Sequence, residues 1–528
     1  MMGQSVFGPM VKPAVKSGED EVKVDEMCPA FDAMSKAWCL IDDLLGGTYA
    51  MRDAGKKWLP KEPKEAPETY ALRLERAILF SGYEDGVERV VSKPFSNPVT
   101  VKNEEKLPEK AALLLDNADL TGRDLTQFLK DVFADAVNHG LSHVFVDFDA
   151  EGAGDAGEEK DKNLHPYFTH VKANQLFSWR SKRVNGRFEL MQIRIKEFRT
   201  ETVGNYGEIS VPHVRVVNAP DFVQANGQLV RIPGSWELHR RDPESGKFMI
   251  VNEGNYTFDR IPLATYYTER TGFMTARPPM EKLAWANLAH WQSYADQRHL
   301  LRFVRYAILF MSGVTDEDMD QKVTVGPSAL FRSTAENAKM SFVENTGKGA
   351  EIGRIDLQDI EDWMEVLGMR PFQERSSKAT ATGKAIAEEG MNADIKLWIR
   401  GLETFGDEIF AMAAAWNKDV IPEDVSVDVF DDFAVGLHAS EDVKAITLLR
   451  DKRMITNKLA LEELKRRGLL GEDVNPENET QAVLDEGPDL PTFGDDDIED
   501  DNEDVKPEDK PEKKDKGKDR PEEKNKTE

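Results

Sequence analysis

Two cysteines in 528 residues, Cys28 and Cys39, leave no material for a disulfide framework, and neither sits in a C-x-x-C spacing. Basic residues are also in short supply: 69 Lys+Arg stand against 97 Asp+Glu, a formal net charge of −28. A protein that reads DNA in a groove carries a basic stripe, so this balance argues against tight, sequence-reading contact. The longest apolar run, residues 306–314, is well short of the roughly 20 residues that span a bilayer. The first twenty residues lack the basic flank, apolar stretch and cleavage site of a secretory signal, so a soluble, non-exported chain in a reducing compartment is expected. No phosphate-binding loop is present, because neither Gly383-Lys384 nor Gly347-Lys348 has a glycine five positions upstream. The run Gly140-Leu141-Ser142-His143-Val144 fails the G-x-S-x-G nucleophile elbow at its last position.

What is there is a body rich enough to fold: 40% of residues are apolar and 9% aromatic. At about 150 residues per domain, three or four folding units are expected. The acidity is spread through the chain. Residues 495–528 hold 16 acids and 9 bases, a net −7, which leaves −21 on the remainder.

Residues 1–28 show no periodicity and read as a flexible arm. Over 29–45, Trp38, Ile41, Leu44 and Leu45 fall at helical spacing, with Gly46-Gly47 as a stop; after a Pro/Lys/Glu-rich stretch, Tyr70, Leu74, Ala77 and Ile78 resume it. The spacing predicts a clearer helix over 124–139, where Leu125, Phe128, Leu129, Val132, Phe133, Ala136 and Val137 make one stripe and Gly140 supplies the left-handed stop. Residues 142–148 read as a strand. From 167 to about 267 a period of two dominates, punctuated by turn signals at Asn185-Gly186, Asn226-Gly227 and Ser245-Gly246.

The character changes at Pro278-Pro279, after which Met280, Leu283, Leu288, Trp291, Tyr294, Ala295 and Leu301 predict a long helix to about residue 306. A second helix is expected over 356–369, with Asp356 as its N-cap, and then a polar loop without large apolar residues. Beyond it Met391, Ile395, Trp398, Leu402, Phe405, Ile409, Met412 and Trp416 alternate steps of four and three, the seam of a long helix that packs along another. That seam fits a core within one subunit or a contact between subunits. A strand-like patch at 425–430 and helices at 440–450 and 456–467 follow, and low hydrophobicity makes the end of the chain a disordered acidic tail.

Three constellations carry possible chemistry. His139 and His143 stand four apart, a spacing suited to metal ligation on a helix, but Gly140 interrupts any helix between them. Asp147 and Asp149 close an apolar strand, where two acids could hold Mg²⁺ or attack a phosphate; with no lysine or second acidic cluster at a recognisable spacing, a strand exit into a glycine-rich loop explains them better. Ser376, Ser377 and Lys378 form a Ser/Lys pair only on paper, and a small polar loop is better suited to glancing contact with a passing polyanion.

Taken in order, these segments resemble bacteriophage portal proteins, in particular a tailed-phage subgroup long catalogued as a domain of unknown function. The resemblance rests on Trp38 through Gly47, Met51-Arg52, Trp58-Leu59-Pro60 and residues 70–77, then 140–147, Pro166-Tyr167-Phe168, Ile261-Pro262-Leu263 and Arg277-Pro278-Pro279 through Trp291, and it spans about residues 30–480. It implies an α+β portal architecture. The parts are a flexible arm (1–28), N-terminal helices with a β-rich wing (29–278), a stem helix (279–306), a clip (307–350) and a second stem helix (351–370). A tunnel loop (371–383), a long wing helix (384–420), a small helical crown (421–480) and a disordered acidic tail (481–528) follow.

The function implied is a ring, usually of twelve copies, at one capsid vertex, through which viral double-stranded DNA is packaged and ejected. It would be no enzyme and would need no cofactor, metal or membrane. Expected partners are the terminase large subunit, a head-completion or adaptor protein, the major capsid protein and a scaffolding protein, with assembly in the host cytoplasm and residence in the virion. DNA would be touched non-specifically in the channel, the candidate residues being Arg375, Ser376, Ser377, Lys378, Thr380, Thr382 and Lys384, a role given by position in the order. The alternatives are a Mg-dependent phosphohydrolase or transferase using Asp147 and Asp149, and a structural or scaffolding protein that encloses no DNA.

Overall fold

The computed structural model describes residues 23–148, 165–225, 228–305, 308–313, 337, 339–343, 347–368, 381–431, 439–466, 475–476 and 478–481. The chain divides into two compact units, residues 1–433 and 434–528.

The first unit opens with helices α1 (Pro29–Leu45), α2 (Gly47–Ala54), α3 (Pro67–Arg76) and α4 (Gly82–Ser92). Gly46-Gly47 does not end helical structure as expected; it bends the chain, and a second helix starts at once. Residues 23–28, read as part of a flexible arm, are pinned: Cys28 N–H donates to Phe177 O (3.1 Å), and Arg194 Nη1 donates to Lys23 O and Val24 O. Strand β1 (Thr100–Lys102) and helix α5 (Glu109–Asp116) lead to α6 (Leu125–His139). Helix α6 has the ends its sequence specifies: the Asp124 carboxylate accepts from Gln127 N–H, and Gly140 at φ 90° takes the left-handed cap.

Strands β2 (Leu141–Phe148), β3 (Pro166–Val171), β4 (Leu176–Val184), β5 (Arg187–Val203), β6 (Gly207–Asn218), β7 (Asp221–Ala225), β8 (Gln228–Ile232), β9 (Gly234–Arg241), β10 (Phe248–Tyr256) and β11 (Leu263–Tyr267) follow, with the short β12 (Arg270–Gly272) and β13 (Thr275–Ala276). They form open antiparallel sheets, five-stranded in the order β10-β9-β6-β5-β4 and three-stranded in the order β11-β2-β3. At the β4–β5 hairpin Asn185 and Gly186 both take positive φ, which is what a two-residue turn there requires.

Strand β2 explains its own sequence. Val144 and Val146 face the helical core, whereas Phe145 faces the five-stranded sheet, so both faces are buried and the strand reads as one apolar run. The first unit then continues through α7 (Glu281–Val304), the antiparallel pair β14 (Ile308–Ser312) and β15 (Lys339–Val343), α8 (Lys348–Leu367), the 36-residue α9 (Ala381–Trp416) and β16 (Ser426–Asp428). Helices α6 and α9 meet over the three-stranded sheet through Phe133, stacked on Tyr266 at 6.1 Å, and Phe168 against Phe410 at 5.6 Å.

Two boundaries shift. Helix α8 starts at Lys348, so Asp356 lies in mid-helix and caps nothing; Gly353 is allowed there because it faces the Gln297 side chain, which a Cβ would strike at 2.2 Å. Residues 421–431, expected at the start of the crown, are tied into the first unit, because β16 pairs with β1, over 300 positions away, in the register Val101↔Val427. In the second unit α10 (Ala439–Asp451) and α11 (Asn457–Arg466) pack together, with Thr456 Oγ1 accepting from Leu459 N–H as the expected N-cap. Residues 482–528, which hold most of the expected tail, lie outside the described residues.

Candidate functional site

The segment running through α7, the β14–β15 pair, α8 and α9 is where the expected stem, clip, loop and long helix fall. Helix α7 rises for 24 residues, about 36 Å. Most of its first half is buried, with Lys282 and Trp285 on the exposed side, and polar residues of the helix brace its neighbours. Asn287 is fully buried, its Oδ1 accepting from Tyr83 N–H (2.7 Å) and its Nδ2 donating to Phe80 O (2.9 Å). Gln292 Nε2 donates to Trp58 O, and Asp296 pairs with the buried Arg73 at 2.8 Å.

Helices α7 and α8 run antiparallel side by side. Ser293 Oγ donates to Asp356 (2.5 Å), Gln297 Nε2 donates to Ala350 O (2.6 Å), and His290 Nε2 lies 3.3 Å from Glu361. Burial pushes the His290 pKa down although Glu361 opposes it, and its Nδ1 is buried without a partner. A helix–hairpin–helix unit results, with β14 and β15 between the helices.

The expected seam of α9 is placed residue by residue. Ile395, Leu402, Phe405, Ile409 and Met412 are buried, while Trp398 and Trp416 are half-buried at the edge of the same core. One glycine in this helix marks a close approach: Gly406 lies under Val427, which a Cβ would reach at 2.9 Å, so β16 can lie against the helix. The side chain of Met391 lies outside the described residues. So do Arg375, Ser376, Ser377, Lys378 and Thr380. Thr382 and Lys384 lie within α9, which starts three residues before the expected position 384.

The acids that could have been catalytic are spoken for or not described. Asp147 Oδ2 accepts from Arg215 Nη1 at 2.9 Å, and Arg215 Nε lies 2.6 Å from Glu197. Burial alone would lower the Arg215 pKa, but Glu197 and Asp147 outweigh it and keep the guanidinium charged. Asp147 does line a cleft of about 1490 Å³ between the five-stranded sheet, α5 and the end of α9, with Trp236, Tyr256 and Trp416 on its walls. Asp149 lies outside the described residues. Among the described residues no group of three or more His, Cys, Asp or Glu is placed to hold a metal ion.

His139 and His143 do not converge on a common point. His139 Nδ1–H donates to Asp135 (2.8 Å) and Nε2–H to Asp42 (3.0 Å), whereas His143 bonds Thr265 at 2.9 Å. The fold also gathers Ser142, His170 and Asp135, a set with the composition of a hydrolase triad. Its geometry is wrong for one: Ser142 Oγ (2.9 Å) and Asp135 Oδ2 (3.6 Å) both approach His170 Nε2, so the imidazole cannot relay a proton between them. Ser142 is also fully buried, out of reach of substrate.

One feature escaped the sequence reading. Arg52, Arg76, Arg298, Arg302 and Arg305 line a single cavity of about 640 Å³ with Glu75 as the one acid in its wall. The spacing of 298, 302 and 305 on one helix face was a visible signal; the other two arginines come from α2 and α3.

Comparison with known proteins bears on the same segment. No curated protein sequence matches the chain. Among solved structures, a chain of the neck of an empty GTA particle, in C6 symmetry, is 10% identical with a TM-score of 0.37, covering 80% of this chain and 99% of that one. A chain of the virion of a native gene transfer agent particle is 9% identical with a TM-score of 0.38, covering 79% and 98%, and one from the neck of a native GTA particle in C12 symmetry is 10% identical with a TM-score of 0.35, covering 83% and 98%. Residues 279–417 match the family model described as "Domain of unknown function (DUF4055)". That match covers the α7–α8 helix pair, the β14–β15 strands and the long α9.

Proposed function

We propose that this chain is a portal subunit: a ring of identical copies at one capsid vertex forms the channel through which double-stranded viral DNA enters and leaves. The observation that carries this reading is the DUF4055 domain at 279–417, which holds helix, hairpin, helix and long helix in the order of a stem, clip, stem and wing. In this reading β14–β15 is the clip, on which the terminase large subunit docks during packaging and a head-completion or adaptor protein afterwards. The major capsid and scaffolding proteins meet the ring from outside. The segment before α9, with Arg375, Ser376, Ser377, Lys378 and Thr380, and the first turn of α9, with Thr382 and Lys384, brush the DNA backbone without reading sequence.

The charge balance supports passage rather than capture. A duplex carries one charge per about 1.7 Å of axis, and a basic bore would hold it by counterion release. A body at −21, outside the acidic last 34 residues, repels it and lets it slide. Nothing in this role calls for covalent chemistry. The test is direct: purified full-length chain is weighed by light scattering and imaged by electron microscopy. Rings with a central hole are expected; a species of 59.5 kDa at every concentration would remove the proposal.

A further inference from the structure

Two surfaces of the α7–α8 pair are left without partners in the subunit, and their chemistries are opposite. The first is the arginine cavity. Arg76, Arg298, Arg302 and Arg305 are exposed and make no ion pair among the described residues, and Ile78, 51% exposed, stands at its edge. Five guanidinium groups beside one carboxylate repel one another, so the subunit alone gives no reason for the cluster.

The second surface is on α8. Ile352 and Val366 are 67% and 76% exposed, and Ile355 and Trp363 about half exposed. At about 100° per residue these four, with Asp359, fall within an arc of about 80°, and Glu351 and Asp362 flank it. Glu351, Asp359 and Asp362 are exposed and make no ion pair among the described residues.

The surfaces look in different directions. Arg354, Leu357 and Glu361 of α8 line a pocket with Ile78 and Phe80, which puts that side of the helix towards the arginines. The Ile352–Val366 stripe lies roughly 170° around the helix from Arg354, Leu357 and Glu361.

Resting on the ring reading above, we infer that the arginine surface of one copy receives the acidic, apolar α8 face of the next. Two different, mutually complementary faces on one chain give a heterologous contact, which closes into a ring or runs on as a filament. Arginine, which is enriched at protein interfaces, stands here beside the exposed Ile78 and the half-buried Leu301. A DNA backbone would use the arginines but has nothing to offer Ile78, Leu301 or the α8 stripe.

The test is a charge swap in the full-length chain. Arg298→Glu/Arg302→Glu, and separately Asp359→Lys/Asp362→Lys, are made alongside the combination of all four. Each pair alone is expected to raise the concentration at which rings half-dissociate by about tenfold or more, because like charges then face each other. The combination is expected to recover most of that loss. Circular dichroism and thermal midpoint, unchanged for these exposed positions, show that the variants fold. Rings of normal stability in both pairs, or no recovery in the combination, overturn this contact and leave the ring reading standing; wild-type chain that never forms rings overturns both. If Arg298→Glu/Arg302→Glu leaves the rings intact and instead weakens binding of a short DNA duplex, the arginines serve nucleic acid and the inference fails.

Discussion

His139 and His143, four positions apart, are driven in opposite directions by their surroundings. Burial would lower the His139 pKa, but Asp135 and Asp42 outweigh it and hold the imidazolium up at about 10. Burial pushes His143 down to about 4, outweighing the opposing charge of Asp135, which makes no hydrogen bond to it. His139 therefore contributes stability that is complete below about 6.5, the unfolded value, and is lost as pH rises towards 10. His143 contributes stability above about 6.5 that is lost as pH falls towards 4. Urea midpoints should peak near neutrality, and His139→Gln should flatten the decline between pH 7 and pH 9. An unaltered decline in that variant would place the titrating group elsewhere. Asp135, kept well below the usual carboxylate range by His139 and His170 despite its burial, also accepts from Ala173 N–H. Asp135→Asn removes one side of a buried charge pair and should cost about 3–5 kcal/mol by denaturant titration. Gly140→Ala faces two penalties, a φ of 90° and a Cβ placed 2.4 Å from Arg277 O, and should lower stability by at least about 1–3 kcal/mol.

Helix α9 separates buried from exposed apolar positions along one element. Ile409→Ala leaves a hole in the core and should cost about 2–5 kcal/mol, whereas Leu397→Ala, at a position 65% exposed, should stay within about 0.5 kcal/mol. Equal losses at both positions would mean that the exposed face is covered when the protein is measured, as in an assembled ring. The seam itself was legible because its period of three and four is a local property of the sequence. The start of α8 was not, because Gly349 and Gly353 look like helix breakers until Gln297 and Leu300 of α7 are seen against them. Asp356 looked like a cap for the same reason: its partner, Ser293, is 63 positions away.

For the whole molecule, the readings part at Asp147. If the chain is a channel, Asp147→Asn loosens the Arg215 cluster and lowers stability, yet virions built from folded variant should fill with genome as the wild type does. Intact rings with empty heads would restore the metal-dependent alternative. The sequence by itself determined helix α6 with both its caps, the Asn185-Gly186 turn and the apolar spacing along α9, since periodicity and capping are set by residues within a few positions of each other. Tertiary structure alone decided that five arginines share one cavity, that Asp147 answers to Arg215, that residues 23–28 are pinned and that β16 joins β1. Those outcomes depend on electrostatics and hydrogen bonding between residues tens to hundreds of positions apart, and no local pattern encodes which distant partner the fold will bring within a few ångströms.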